Sequence, residues 1–120
     1  MIKWPELKLP PINLWSAPNM NAYQEATRAT AIYPKEQAIE YLSLGLASEA
    51  GEVAGKVKKR IRDNSPYIAE TADELGDVLW YVARLADELG YSLDSIATEN
   101  IEKLTSRAQR GVLKGSGDAR

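Results

Sequence analysis

The residues best suited to chemistry in this 120-residue chain are carboxylates set in pairs. Glu49 and Glu52 stand three positions apart, and so do Glu74 and Asp77. In a helix, residues at that spacing share a face. Each pair also borders an apolar stripe: at about 100° per residue, Glu49 lies about 60° from Leu46 and Glu74 about 80° from Val82. When the two segments pack side by side, the four acids converge, and their mutual repulsion calls for a cation. Oxygen-only ligands select a hard ion, with Mg²⁺ expected and Mn²⁺ as the substitute. Such an ion grips phosphate oxygens and lowers the pKa of a bound water. The competing reading of either pair alone is a solvated helix face, with Glu52 paired to Lys56 four residues on.

Composition narrows the alternatives. Without histidine there is no serine–histidine or cysteine–histidine nucleophile and no histidine-ligated zinc or iron. Without cysteine there is no disulfide framework and no thiolate metal site. Acids and bases nearly balance, 17 against 15 for a net charge of −2, which argues against a protein that coats a nucleic-acid polymer. No apolar run approaches the roughly 18 residues of a membrane span, and no signal-peptide core precedes the helical region. A cytoplasmic protein is expected.

Further polar groups flank the acids. Lys56 and Lys59 lie on the side of Glu49 and Glu52, where they would meet phosphates. Tyr81 follows Asp77 by one helical turn and is the candidate to stack on a base, whereas Trp80 is expected at a helix interface. Asn100, Lys103 and Arg107 make one polar strip, spaced three and then four residues apart.

These groups need helices to hold them. Apolar residues recur at three- and four-residue spacing through Ile39, Leu42, Leu46, Ala50, Val53, Val57 and Ile61. They recur again through Leu75, Val78, Val82, Leu85 and Leu89, and through Leu93, Ala97, Ile101, Leu104 and Ala108. Punctuation agrees: an asparagine cap at 19 or 21, Pro34, the turn Asp63-Asn64-Ser65-Pro66, Gly90, a cap at Ser92 or Asp94, and Gly111. The spacing predicts helices near 19–31, 35–62, 66–88 and 92–110, an all-α, four-helix-bundle-like domain spanning 19–111. Residues 1–18 read as an extended arm, since Pro5, Pro10, Pro11 and Pro18 forbid a continuous helix. Trp4 and Trp15 suggest that the arm docks across the bundle. Residues 112–120 read as a disordered tail.

Taken together, Glu49-x-x-Glu52, a 21-residue spacer and Glu74-x-x-Asp77 resemble the signature of the MazG-like all-α nucleotide pyrophosphohydrolases. Glu49-Ala-Gly-Glu-Val53, Glu74-Leu-Gly-Asp-Val-Leu-Trp-Tyr81 and Asn100-Ile-Glu-Lys103-Leu-Thr-Ser-Arg107 extend the likeness over most of 19–111. The resemblance implies a Mg²⁺-dependent enzyme that cuts a nucleoside triphosphate to monophosphate and pyrophosphate, in nucleotide-pool housecleaning. Glu49, Glu52, Glu74 and Asp77 would hold the metal, with Glu49 or Glu52 also positioning the attacking water. The strip of Asn100, Lys103 and Arg107 would contact sugar and phosphates. It also implies a homodimer or homotetramer, in keeping with helices too long for 120 residues to bury on all sides. Two other readings compete: a non-catalytic helical interaction module, and a di-iron carboxylate protein, which the missing histidines disfavour.

Overall fold

The computed structural model describes residues 19–120. It holds four helices: α1 (Met20–Ala26), α2 (Ala38–Asp63), α3 (Ile68–Glu88) and α4 (Leu93–Gln109), with 3₁₀ turns at Thr27–Thr30 and Lys35–Gln37. No strand occurs among the described residues. The expected arm, 1–18, lies outside them.

The helix ends follow local chemistry. The Asn19 side chain accepts the Ala22 N–H at 2.8 Å, and the Ser92 hydroxyl accepts the Ser95 N–H at 3.1 Å. Asn64 ends α2 in the left-handed region, φ 54°, which asparagine tolerates. At the end of α3, Gly90 takes φ 83° and the Tyr91 N–H returns to the Ala86 carbonyl at 2.9 Å, closing the last turn.

The first expected helix is shorter than its pattern suggested. It changes to 3₁₀ at Thr27, where the Thr27 hydroxyl donates to the Gln24 carbonyl at 2.6 Å and Thr30 to the Thr27 carbonyl at 3.2 Å. Hydroxyls that bond backward compete with the helical ladder. The second helix likewise begins as a 3₁₀ turn after Pro34 and becomes α at Ala38.

The frame is the α2–α3 hairpin, closed by the short turn at 64–67. Gly45 faces Tyr81, Glu49 faces Asp77 and Lys56 faces Glu74, so numbers rise on one helix as they fall on the other. The pair is therefore antiparallel. Short α1 lies against α3, and α4 packs on α1 and α3 but not on α2. Gln24, buried at 5% exposure, joins α1 to the α3–α4 turn: its amide donates to the Tyr91 carbonyl at 2.8 Å and accepts the Leu93 N–H at 2.9 Å. Such a satisfied buried amide fixes the turn's position.

Two small cores result. One gathers Tyr33, Ala38 and Leu42 with Trp80, Tyr81 and Leu85; the other gathers Ala83, Ala86 and Leu93 with Tyr23 and Val82. Between them Arg84 is buried, donating to the Tyr33 hydroxyl at 3.2 Å and to Asp87 at 2.8 Å. Asp87 in turn takes a two-pronged contact from Arg28, both prongs at 2.9 Å.

Much of the expected core is left uncovered among the described residues. Leu42 and Leu93 are buried, but Ile61 is 80% exposed, Ile101 65% and Leu75 54%. A single hairpin with a short α1 and a divergent α4 has too few neighbours to close both ends of its stripes. The segment 112–120 runs as bends and a turn beside the end of α4. The Arg120 guanidinium donates there to the Val112, Leu113 and Gly117 carbonyls.

Candidate metal and nucleotide site

On one flank of α2, Tyr41, Gly45 and Glu49 follow one another at four-residue steps and so share a face. Opposite them α3 presents Glu74, Asp77 and Tyr81. Glu49, Glu74 and Asp77 each offer a carboxylate oxygen, and these lie within 4.8 Å of one another. Glu49 and Glu74 are half-buried while Asp77 is exposed, so the group opens to solvent on one side. Burial pushes the Glu49 carboxyl above its ordinary range, and the charges of Asp77, Glu74 and Glu52 push it further. Three hard oxygen donors at the mouth of a helix seam suit a divalent cation.

The chain supplies one cation itself. The Lys56 ammonium approaches Glu74 at 3.5 Å, with both side chains largely shielded from water. It pairs with Glu74 across the seam rather than with Glu52 on its own helix. Glu52 is exposed and outside the three-carboxylate group, although its charge reaches Glu49. Lys59 does not join the acids either; it is exposed and acts on Asp63, whose carboxyl is lowered first by Arg62 and then by Lys59.

Tyr81 is brought to the site. A Cβ on Gly45 would stand 2.0 Å from Tyr81 Cε1, so the ring lies directly on the glycine backbone. Burial raises the Tyr81 phenol, followed by Tyr41 and the charges of Glu49 and Asp77. Trp80 meets Tyr81 edge-on at 4.9 Å, and its indole N–H donates to Thr30 at 2.8 Å, the interface role expected of it. Tyr41 stacks on Tyr33 at 5.8 Å. Tyr41 was missed in the sequence reading, yet the step Tyr41, Gly45, Glu49 carried the signal: an aromatic and a glycine on the same face as the acid.

Asn100, Lys103 and Arg107 share a face of α4, but the structure does not bring them to the acids within one chain. Asn100 and Lys103 line a groove of about 430 Å³ with Tyr91, Ile96 and Glu99. Lys103 and Arg107 instead meet Asp118 of the tail, at 3.7 and 3.2 Å.

Comparison with known proteins follows this geometry. Residues 37–112 match the family described as the MazG nucleotide pyrophosphohydrolase domain. The chain is also similar to the Gene 37 protein of Mycobacterium phage L5, 45% identical over 113 residues that cover 85% of this chain and 99% of that protein. No solved structure matches. Among the described residues, no helix is long and apolar enough to cross a membrane.

Proposed function

The chain belongs to the MazG nucleotide pyrophosphohydrolase family, and from that premise we propose that it hydrolyses nucleoside triphosphates to monophosphate and pyrophosphate with Mg²⁺. The observation that carries the reading is the convergence of Glu49, Glu74 and Asp77 oxygens within 4.8 Å at the α2–α3 seam. Their crowding, which adds to burial in raising the Glu49 carboxyl, fits a divalent cation. When bound, such an ion supplies charge neutralisation for the phosphates and an acidified water.

The chain's own residues do the rest. Glu49, Glu74 and Asp77 would hold the ion, with Glu52, one turn beyond Glu49, as the further carboxylate ligand. Glu49 or Glu52 orients the attacking water through a carboxylate oxygen. Lys56 turns from Glu74 toward a phosphate oxygen, giving the polyphosphate a fixed charge at the rim. Tyr81, braced by Gly45 and Trp80, offers its ring beside the acids for a base. The exposed apolar stripes of α2, α3 and α4 favour a homodimer or homotetramer. A second copy would also let the α4 strip of one chain reach phosphates held on the other.

Incubation with a panel of nucleoside and deoxynucleoside triphosphates and Mg²⁺, with products resolved by ion-exchange chromatography, tests the reading. Monophosphate and pyrophosphate should appear together, and EDTA should stop their release. Diphosphate and orthophosphate as first products would exclude this chemistry. A non-catalytic module would release nothing.

A further inference from the structure

We propose that the C-terminal segment 112–120 is an intramolecular competitor for the phosphate end of the substrate, its Asp118 carboxylate occupying the cationic strip of α4. The inference rests on the reading above that Lys103 and Arg107 take phosphate.

Arg107 is a buried charge, 4% exposed, at the last turn of α4. Its Nη2 donates to the Asp118 backbone carbonyl at 2.9 Å and to the Asp118 carboxylate at 3.2 Å. Its Nε has no partner among the described residues. A buried guanidinium with a free N–H is under-satisfied, and a phosphate, which offers two or more acceptor oxygens to one fork, would use it better than one carboxylate oxygen does. Lys103, one turn back, faces the same Asp118 oxygen at 3.7 Å. Together they form a two-cation seat for an oxyanion, and the chain places its own oxyanion there.

The tail is built to deliver that group. Gly115 at φ 124° and Gly117 at φ 87° reverse the chain, conformations that residues with a Cβ rarely adopt. Arg120 then ties the loop down, donating to the carbonyls of Val112 at 3.0 Å, Leu113 at 3.1 Å and Gly117 at 2.6 Å. The backbone carbonyl of Arg120 is held in turn by Arg110 at 2.8 Å.

The occupant is nonetheless easy to displace. The Asp118 side chain is 90% exposed, so its ion pair and hydrogen bond with Arg107 are screened by water. A single screened carboxylate gives way to a polyphosphate, which carries more charge and more acceptor oxygens. Its effect is to raise the substrate concentration needed for binding, without touching the carboxylates at the α2–α3 seam.

Calorimetric titration of inorganic pyrophosphate tests this without turnover. EDTA in the buffer removes any metal at the acidic group, leaving the cationic strip to bind. The full chain is compared with Asp118→Asn and with a chain ending at Leu113. Both altered chains should bind pyrophosphate about three- to fivefold more tightly, the scale of an exposed ion pair. Arg120→Ala, which loosens the loop and keeps the Asp118 charge, should give a smaller gain. Unchanged or weaker binding in Asp118→Asn and the shortened chain overturns the proposal. With Mg²⁺ and a nucleoside triphosphate, the same two chains should show a lower KM at the kcat of the full chain. Tighter pyrophosphate binding with no turnover by any chain would uphold the competitor and reject the activity. Turnover by the full chain with the KM of both altered chains would do the reverse.

Discussion

Replacing Gly45 with alanine perturbs the site through a single methyl group. The added Cβ would stand 2.0, 2.4 and 2.7 Å from three carbons of the Tyr81 ring, where ordinary contact begins near 3.4 Å. The ring must withdraw by more than an ångström. It is packed edge-on against Trp80 at 4.9 Å, so its retreat disturbs the aromatic cluster over Leu42. Overpacking of this kind costs about 1–3 kcal/mol. Against it stands the gain from replacing glycine inside a helix, about 1 kcal/mol. Gly45→Ala should therefore be neutral to about 2 kcal/mol destabilising. Gly51→Ala and Gly76→Ala, where an added Cβ meets nothing within 4 Å, should be stabilising by up to about 1 kcal/mol. Urea denaturation at one fixed protein concentration measures all three. The decisive comparison is a cycle with Tyr81→Ala: once the ring is gone, Gly45→Ala should stabilise as the other two do. If Gly45→Ala costs the same with and without the Tyr81 ring, the contact is not what requires glycine there. Because Tyr81 lies beside Glu49, Gly45→Ala should also raise KM for the nucleotide.

Three further outcomes are expected. Glu49→Gln, Glu52→Gln, Glu74→Gln and Asp77→Asn should each reduce turnover at least a hundredfold and weaken Mn²⁺ binding followed by electron paramagnetic resonance, with the helical circular dichroism retained; full activity in any two of them would defeat the site assignment. Asp87 is held at about 2 instead of 3.8, chiefly by its hydrogen bond from Arg28. Its folded value lies below the unfolded one, so its stabilisation is present above about pH 4 and is lost as pH falls toward 2. Because Arg28 is 60% exposed, screening leaves about 1–2 kcal/mol, which Asp87→Asn should remove at pH 7 and roughly half of which it should remove at pH 3; an equal loss at both would refute the pairing. Light scattering should give a particle heavier than one 13.3 kDa chain, and Ile68→Glu should shift it toward the monomer; a monomer at micromolar concentration would reject assembly through these faces.

What the sequence by itself determined was the helical order. Asn19, Asn64, Gly90 and Ser92 sit at helix ends because caps and left-handed turns are settled by a few neighbouring residues. The three-residue spacing of the acids placed each pair on one face for the same local reason. The shortening of α1 is local too, set by threonine hydroxyls that bond back to the Gln24 and Thr27 carbonyls. Only the tertiary structure decided which groups meet. The antiparallel register of α2 and α3 set Tyr81 on Gly45, gave Lys56 to Glu74 rather than Glu52, and drew Glu49, Glu74 and Asp77 together. The reversal of the tail put Asp118 on Arg107. Periodicity marks the face a residue occupies, but it carries no record of which residue stands opposite. It also cannot say which part of a stripe is covered and which, like Ile61 and Ile101, stays bare among the described residues. Those outcomes depend on the sliding of one helix along another and on the number of neighbours the chain provides.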